Sequence, residues 1–464
     1  MRTPRSVPPR GPLRAAAALL AVAAPTAARA QQEPPPPPVS AAAAADTSMA
    51  GHAASQGMLG NWRMNREASG TSWLPDSSPL YGKMGRLGSF QTMVQGQLYG
   101  VGTDQGGPRG DADFYVPSRL MGMAWDWQPD GTLWGFRGMV SADAALMGTR
   151  GYPLLFQTGE TAFGRPLTDR QHPHDVMMEL AATWARPLNR GRYTPFVYLG
   201  IVGEPALGPT AYPHRPSAFD NPEAPLGHHW FDSTHVSHGV ATAGLAAGGA
   251  AKVEASVFTG REPDENRWRI DRFRFDSYSG RLSVNPSRDV SAQVSHAFLK
   301  EPEALEPNTN QQRTTASISY NAPRRGGRDN WQTMLAWGRN RKFAPNGVRW
   351  QSDAWLLESA YLGSSYTVFG RIESTDKDEL ELPFLVFPTT RHFGPGGIPL
   401  ADHTPFNVDK FTLGGVKNVY RVRGAELGVG GSVSVYDYPR VLELTYGSPP
   451  VSFTLFFRLR TERM

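Results

Sequence analysis

The sequence predicts an all-β fold, a closed antiparallel transmembrane β-barrel of about sixteen strands within a range of roughly 14–18. Three observations carry that expectation. From Ser89 onward the chain divides into segments of about ten residues, the length at which a tilted strand crosses a bilayer. Many segments alternate apolar and polar side chains with a period of two, which puts each set on its own face of a sheet. The connections alternate short and long without exception, as in a barrel with short turns on one side of the membrane and long loops on the other. No stretch after residue 30 approaches about 18 consecutive apolar residues, which excludes spanning helices.

Taken in order, the chain opens on Arg2, Arg5, Arg10 and Arg14, then the apolar run Ala15–Ala24, then the A-x-A cleavage site Ala28-Arg29-Ala30. These are the three parts of an export signal over residues 1–30, and the apolar run is too short to span a bilayer. The mature chain is expected to start at Gln31. The full chain has 47 Lys and Arg against 42 Asp and Glu, a formal net charge of +5. Arg2, Arg5, Arg10, Arg14 and Arg29 leave with the signal, so the mature chain is neutral and offers no electrostatic case for nucleic-acid binding. Cysteine is absent, which excludes disulfides and a lipoprotein anchor. Stability in an oxidising compartment must then come from size, sheet closure or lipid.

Residues 31–56 hold a proline run and an alanine tract and read as a disordered linker. Residues 57–88 carry Met58, Trp62, Met64, Trp73, Leu74, Tyr81 and Met84 with no clear period. They read as an irregular ordered segment, periplasmic or entering the lumen. The barrel takes residues 89–464. Its strands are expected to begin near Ser89, Asp113, Thr132, Asp175, Tyr193, Thr234, Ala250, Asp276, Asp289, Gln312, Asn330, Trp350, Ser365, Asn407, Val422 and Val451. In the last strand Val451, Phe453, Leu455, Phe457 and Leu459 oppose Ser452, Thr454 and Arg458. On this register Val253, Tyr278, Leu282, Ile318, Trp337, Leu427, Val433 and Phe453 face lipid. Glu179, Lys252, Glu254, Arg281, Ser317, Arg371, Glu373, Glu426 and Arg458 face the lumen, where charges select solutes or brace an inserted segment. Trp125, Trp127 and Trp134 flank the turn at 128–131, and Trp331 and Trp337 lie roughly 20 Å apart on one strand face. Both sets read as interfacial girdles.

Seven of the eleven histidines fall between residues 172 and 238, on or beside two long loops that reach the same rim. His172, His174, His228, His229 and His235 are the candidate metal ligands. Imidazole with carboxylate suits zinc or copper, and Asp175 and Asp232 are the nearest candidates to orient the rings. The competing reading is that these histidines only tie loops together through hydrogen bonds. The methionines raise a copper reading through their soft thioethers, although Met121 and Met123, on one strand face, suit packing or lipid contact equally. No G-x-S-x-G elbow, H-E-x-x-H run or phosphate-binding glycine loop is present, so no enzyme is expected.

The period, the strand length and the loop rhythm together resemble those of Gram-negative outer-membrane β-barrels, and the strand number resembles the general porins. The resemblance covers Ser89 to Arg460. It departs from the pattern at the end, where LRTERM follows the last aromatic residues instead of a terminal one. The segments DRQHPHD, GEPALGP and NPEAPLGHHWFDSTH resemble those of an outer-membrane family to which no activity is attached. The resemblance implies an outer-membrane location, with lipid and lipopolysaccharide as surroundings. It implies a channel for small hydrophilic solutes. The alternative is a non-conducting barrel whose histidine loops bind a ligand such as a zinc or copper ion.

Overall fold

A computed structural model describes residues 56–60, 62–345, 347, 349–382 and 404–464. The export signal, the linker up to residue 55 and residues 383–403 of the last long loop lie outside the described residues. Sixteen strands close into one antiparallel barrel. They are β1 (Phe90–Asp104), β2 (Ser118–Trp127), β3 (Leu133–Val140), β4 (Met177–Ala185), β5 (Tyr193–Gly203), β6 (Ser237–Ala247), β7 (Ala251–Phe258) and β8 (Ser277–Ser287). There follow β9 (Val290–Leu299), β10 (Asn310–Arg324), β11 (Asp329–Phe343), β12 (Arg349–Leu362), β13 (Tyr366–Lys377), β14 (Phe406–Val422), β15 (Ala425–Asp437) and β16 (Val451–Thr461).

Each strand pairs with the next, and β16 returns to β1 from Gln97↔Arg460 to Asp104↔Phe453. One edge of β1 serves β2 from Gln91 to Leu98 and a short strand, Ala112–Tyr115, from Val101 to Asp104. Its other edge carries β16 and a second short strand, Lys83–Leu87. No edge is left open in the ladder, which is what a sheet in hydrocarbon requires.

Strand starts follow the alternation in the sequence to within a few residues, with two corrections. Asp113 belongs to the short strand, and the spanning strand β2 starts at Ser118; the fifteenth strand starts at Ala425, because Val422 closes β14. The loop rhythm also has an exception. Residues 344–348 form a connection as short as the turns on the opposite rim, and the long strands β11 and β12 take up in paired backbone what a loop would otherwise hold.

The outer face is apolar. Val253, Tyr278, Leu282, Ile318 and Phe453 are 46–59% exposed, and Leu455 reaches 74%. Trp337, Leu427 and Val433 share that face, half-buried against their neighbours. A continuous apolar belt of this kind is an aggregation surface in water and a fitted surface in lipid. Trp125 corrects the girdle reading. It is fully buried and points inward, Trp127 packs against the same interior cluster, and only Trp134 of that group faces out.

The lumen is filled from both ends. The N-terminal segment enters it, anchored by Arg66, which binds Asp76 through two contacts of 2.7 Å and lies between Trp62 and Trp73. The wall holds this segment through Asn285 to Leu74 O at 2.9 Å, Ser291 to Trp73 O at 3.2 Å and Arg281 to Thr71 at 3.0 Å. From the other side comes the loop 204–236, buried almost throughout. Arg215 on this loop pairs with Asp232 at 2.9 Å and with Glu358 of β12 at 2.5 Å. Glu223 binds Lys410 at 2.8 Å, Leu226 N donates to Glu373 at 2.5 Å, and Asp220 pairs with Arg458 and with Arg460 at 2.9 Å.

Glu179, Lys252, Glu254, Arg281, Arg371, Glu373, Glu426 and Arg458 are all at most 4% exposed and lie on the inner face. They pair with one another and with other wall residues, as in Glu254 with Arg281 at 2.8 Å and Arg371 with Glu358 at 3.0 Å, and several also hold the inserted segments: Arg371 donates to Glu223 O at 2.9 Å, and Lys252 to Thr71 O.

Two outcomes follow from this arrangement. Leu455→Arg places a cation on the lipid face near mid-strand and is expected to lower stability by about 2–4 kcal/mol, read by urea unfolding in vesicles; an unchanged midpoint would place Leu455 away from lipid. Arg215→Met removes the buried cation between Asp232 and Glu358, which keep only His228 and Arg371 as charged or ring partners, and is expected to cost about 3–5 kcal/mol. Limited proteolysis should then cut within 204–236 while the barrel wall survives.

Candidate metal centre

Five imidazoles meet where three loops fold inward. His172 and His174 lie between a small hairpin, Glu160–Ala162 with Arg165–Leu167, and the start of β4. His228 and His229 open a one-turn helix, His228–Phe231, and His235 closes the following turn, Ser233–His235. Tight turns put these rings on one side. The ring centroids of His172, His174, His235 and His228 form a closed circuit with sides of 6.3, 5.3, 5.3 and 6.0 Å. His229 completes a triangle with His172 at 6.1 Å and His228 at 5.4 Å. Tyr212 leans against His174, His228 and His235.

Every ring is held from behind through Nδ1. His174 Nδ1 lies 2.8 Å from Asp143 Oδ2, His228 Nδ1 2.8 Å from Asp232 Oδ1, and His229 Nδ1 3.1 Å from Glu262 Oε1. His235 Nδ1 lies 2.7 Å from Asp232 O, and His172 Nδ1 3.2 Å from Pro173 O. Carboxylates and carbonyls only accept, so each Nδ1 carries a proton, and in a neutral ring Nε2 then keeps the lone pair. All five Nε2 atoms are buried without a hydrogen-bond partner. A ring fixed at Nδ1 and open at Nε2 is the form in which histidine ligates a metal.

Electrostatics keep three of the rings neutral. Burial drives the pKa of His172 well below its ordinary value, helped by Arg267 and the neighbouring rings. Burial lowers His228 against the upward pull of Asp232, and it pushes His235 down to about 3 with help from His174 and His228. Burial alone would raise Asp232, but the bond from His228 and the charge of Arg215 hold it below the usual carboxylate range.

The outer approach is acidic. Glu160 Oε1 lies 3.4 Å from His172 Nε2, and burial raises its carboxyl to about 7 against the pull of Arg267. Donor atoms of His229, Glu262 and Glu303 lie within 4.8 Å of one another. Above them a cavity of about 250 Å³ is lined by Gly159, Glu160, Glu303, Glu306 and Glu379. Gly159 has φ +112°, and a Cβ there would stand 2.6 Å from the His229 ring, so only glycine lets the loop pass over the site.

Of the two carboxylates expected to orient rings, Asp232 does so and Asp175 does not. Asp175 binds Arg267 at 3.3 Å and His238 at 3.4 Å, which also keeps His238 out of the cluster. Asp143, Glu160 and Glu262 were not singled out from the sequence. Asp143 and Glu160 share the loop of His172 and His174 but lie 31 and 12 residues away from the rings they meet, and Glu262 lies on another loop, so the folding of these loops brings them to the rings.

No family model matches the chain, and no curated protein matches it. Solved structures similar to it include an anion-selective porin from Comamonas acidovorans, with a TM-score of 0.48 and 11% identity over 80% of this chain and 99% of that one. Salmonella typhi OmpF in complex with daunomycin gives 0.47 and 8% over 82% and 100%. Pseudomonas putida OprB at high pH gives 0.47 and 8% over 80% and 94%. The closed sixteen-strand ladder, its apolar outer belt and its polar interior give this chain the fold of a membrane-spanning β-barrel of porin-like architecture.

Proposed function

We propose that this barrel binds a transition-metal ion, of the zinc and copper class, at the cluster of His172, His174, His228, His229 and His235. The observation that supports it is the shared polarity of the five rings, each fixed at Nδ1 by an acceptor and each with a buried Nε2 that makes no hydrogen bond, that of His172 lying 3.4 Å from Glu160. Rings that served only to tie loops together would have both nitrogens satisfied. Nitrogen donors in a neutral state bind such ions without first losing a proton. Among the described residues the three donors that lie within 4.8 Å of one another are His229, Glu262 and Glu303, so the five rings would have to close inward to share an ion.

Metal titration of the refolded full chain tests this reading. Wild type is expected to bind zinc at least tenfold more tightly than the H228A/H229A variant, with H235A in between. Equal weak binding by all three proteins would remove these residues as ligands.

A second reading, passage of small hydrophilic solutes, is favoured by the charged and polar inner wall. It requires the loop 204–236 to leave its sockets, because that loop occupies the lumen. In a planar bilayer wild type is expected to hold no steady open-pore current, whereas R215M opens intermittently. Stable large conductance in wild type would favour the plain channel.

A further inference from the structure

Seven of the fourteen methionines gather in one buried cluster inside the barrel beside the imidazoles: Met58, Met64, Met93, Met121, Met123, Met139 and Met178. Four of them occupy the inner face of β1, β2 and β3. Met93 pairs directly with Met123, and Met121 with Met139, so their side chains stand next to one another across the ladder. Met58 closes over β3, where a Cβ on Gly135 would lie 2.6 Å from its methyl group. Met178 joins at an irregularity of β4. A core built for packing draws mainly on leucine, isoleucine, valine and phenylalanine, with methionine as an occasional filler.

The cluster contains a hollow. A cavity of about 40 Å³ is lined by Met93, Met121 and Met123 on the wall and by His214 on the inserted loop, with Glu67, Arg137 and Tyr81 at its margin. That exceeds the room of about 10–15 Å³ that one water needs. His214 is 9% exposed, and its Nε2 has no hydrogen-bond partner. A neighbouring cavity of about 30 Å³ is lined by His174 of the imidazole cluster, by Met178 and by Phe219, and Phe219 also lines the thioether cavity. Tyr81, stacked on Phe219 at 4.8 Å, borders in turn a larger cavity at the rim of the short turns.

We infer that the pocket of Met93, Met121, Met123 and His214 is a second metal station, selective for a soft monovalent ion, Cu(I), and placed beside the five imidazoles. Thioether sulfur is a soft donor that prefers Cu(I) to zinc. The Arg137 guanidinium in the lining, held by Ala68 O and Gly70 O at 2.9 Å, is paired with Glu179 at 3.4 Å, so the preference for Cu(I) rests on the soft thioether donors. What reaches the pocket rests on the metal reading above, while the pocket itself stands on its own donors.

The test uses the refolded full chain and Ag(I), which has the charge and softness of Cu(I) without its redox chemistry. Wild type is expected to take Ag(I) with a shift of the Met93, Met121 and Met123 ε-methyl signals in a ¹³C spectrum, and zinc should leave those signals in place. M93L/M121L/M123L conserves volume, and cores tolerate that exchange. It should lose one equivalent of Ag(I), or bind it at least tenfold more weakly, with zinc titration unchanged. H228A/H229A should keep that Ag(I) equivalent. Unmoved methyl signals in wild type, or equal Ag(I) binding by the leucine variant, would overturn the station and leave a packing core. Unchanged zinc binding by H228A/H229A would instead overturn the imidazole reading alone. The methyl signals are read on the native chain, so this outcome does not depend on a variant folding.

Discussion

Backbone hydrogen bonding inside hydrocarbon is the constraint on which the rest of the molecule depends. Lipid offers no partner to an unpaired N–H or C=O, so the sheet has to close. Closure falls to β1, which pairs with β2 along its first half and with β16 along its second. The pleat then dictates the rest. Alternate residues must face lipid, and the remaining set must face inward, whatever their polarity. Leu455 and Phe453 outside, with Arg458 and Thr454 inside, are two sides of one strand under that rule.

The inward set creates its own requirement. Charges confined in a filled lumen need partners close at hand, because an unpaired buried charge costs several kcal/mol. The wall supplies part of them, as in Arg281 with Glu254 and Arg371 with Glu358, and the inserted segments supply the rest. Arg371 and Glu373 take hold of the backbone at Glu223 and Leu226, Arg458 takes Asp220, and Arg281 takes Thr71 and Gly208 O. The charges that select solutes in an open pore serve here as sockets for the chain's own loops. Those sockets in turn set the position of the imidazoles, since Arg215 links Glu358 of the wall to Asp232, and Asp232 orients both His228 and His235.

The interior groups its donors by type. Carboxylates of Glu160, Glu262 and Glu303 lie beside the imidazoles, and the thioethers of Met93, Met121 and Met123 line a cavity of their own.

The barrel was legible in the sequence because a period of two, a segment length and a loop rhythm are local properties of the chain. Strand order, the lipid face and the inner face of the eight charges all follow from them. So did the choice of five histidines, by their concentration on two loops. Trp125 and the strand start at Ser118 were misplaced, since a tryptophan near a strand end and an extended dipeptide read alike whether they face membrane or lumen. What the tertiary structure alone decided is how the loops fill the lumen. Glu262 behind His229, and His214 in one cavity with Met121 and Met123, join residues that no spacing connects. Their meeting depends on which wall charge captures which loop, an electrostatic match across the barrel that exists only once the sheet has closed.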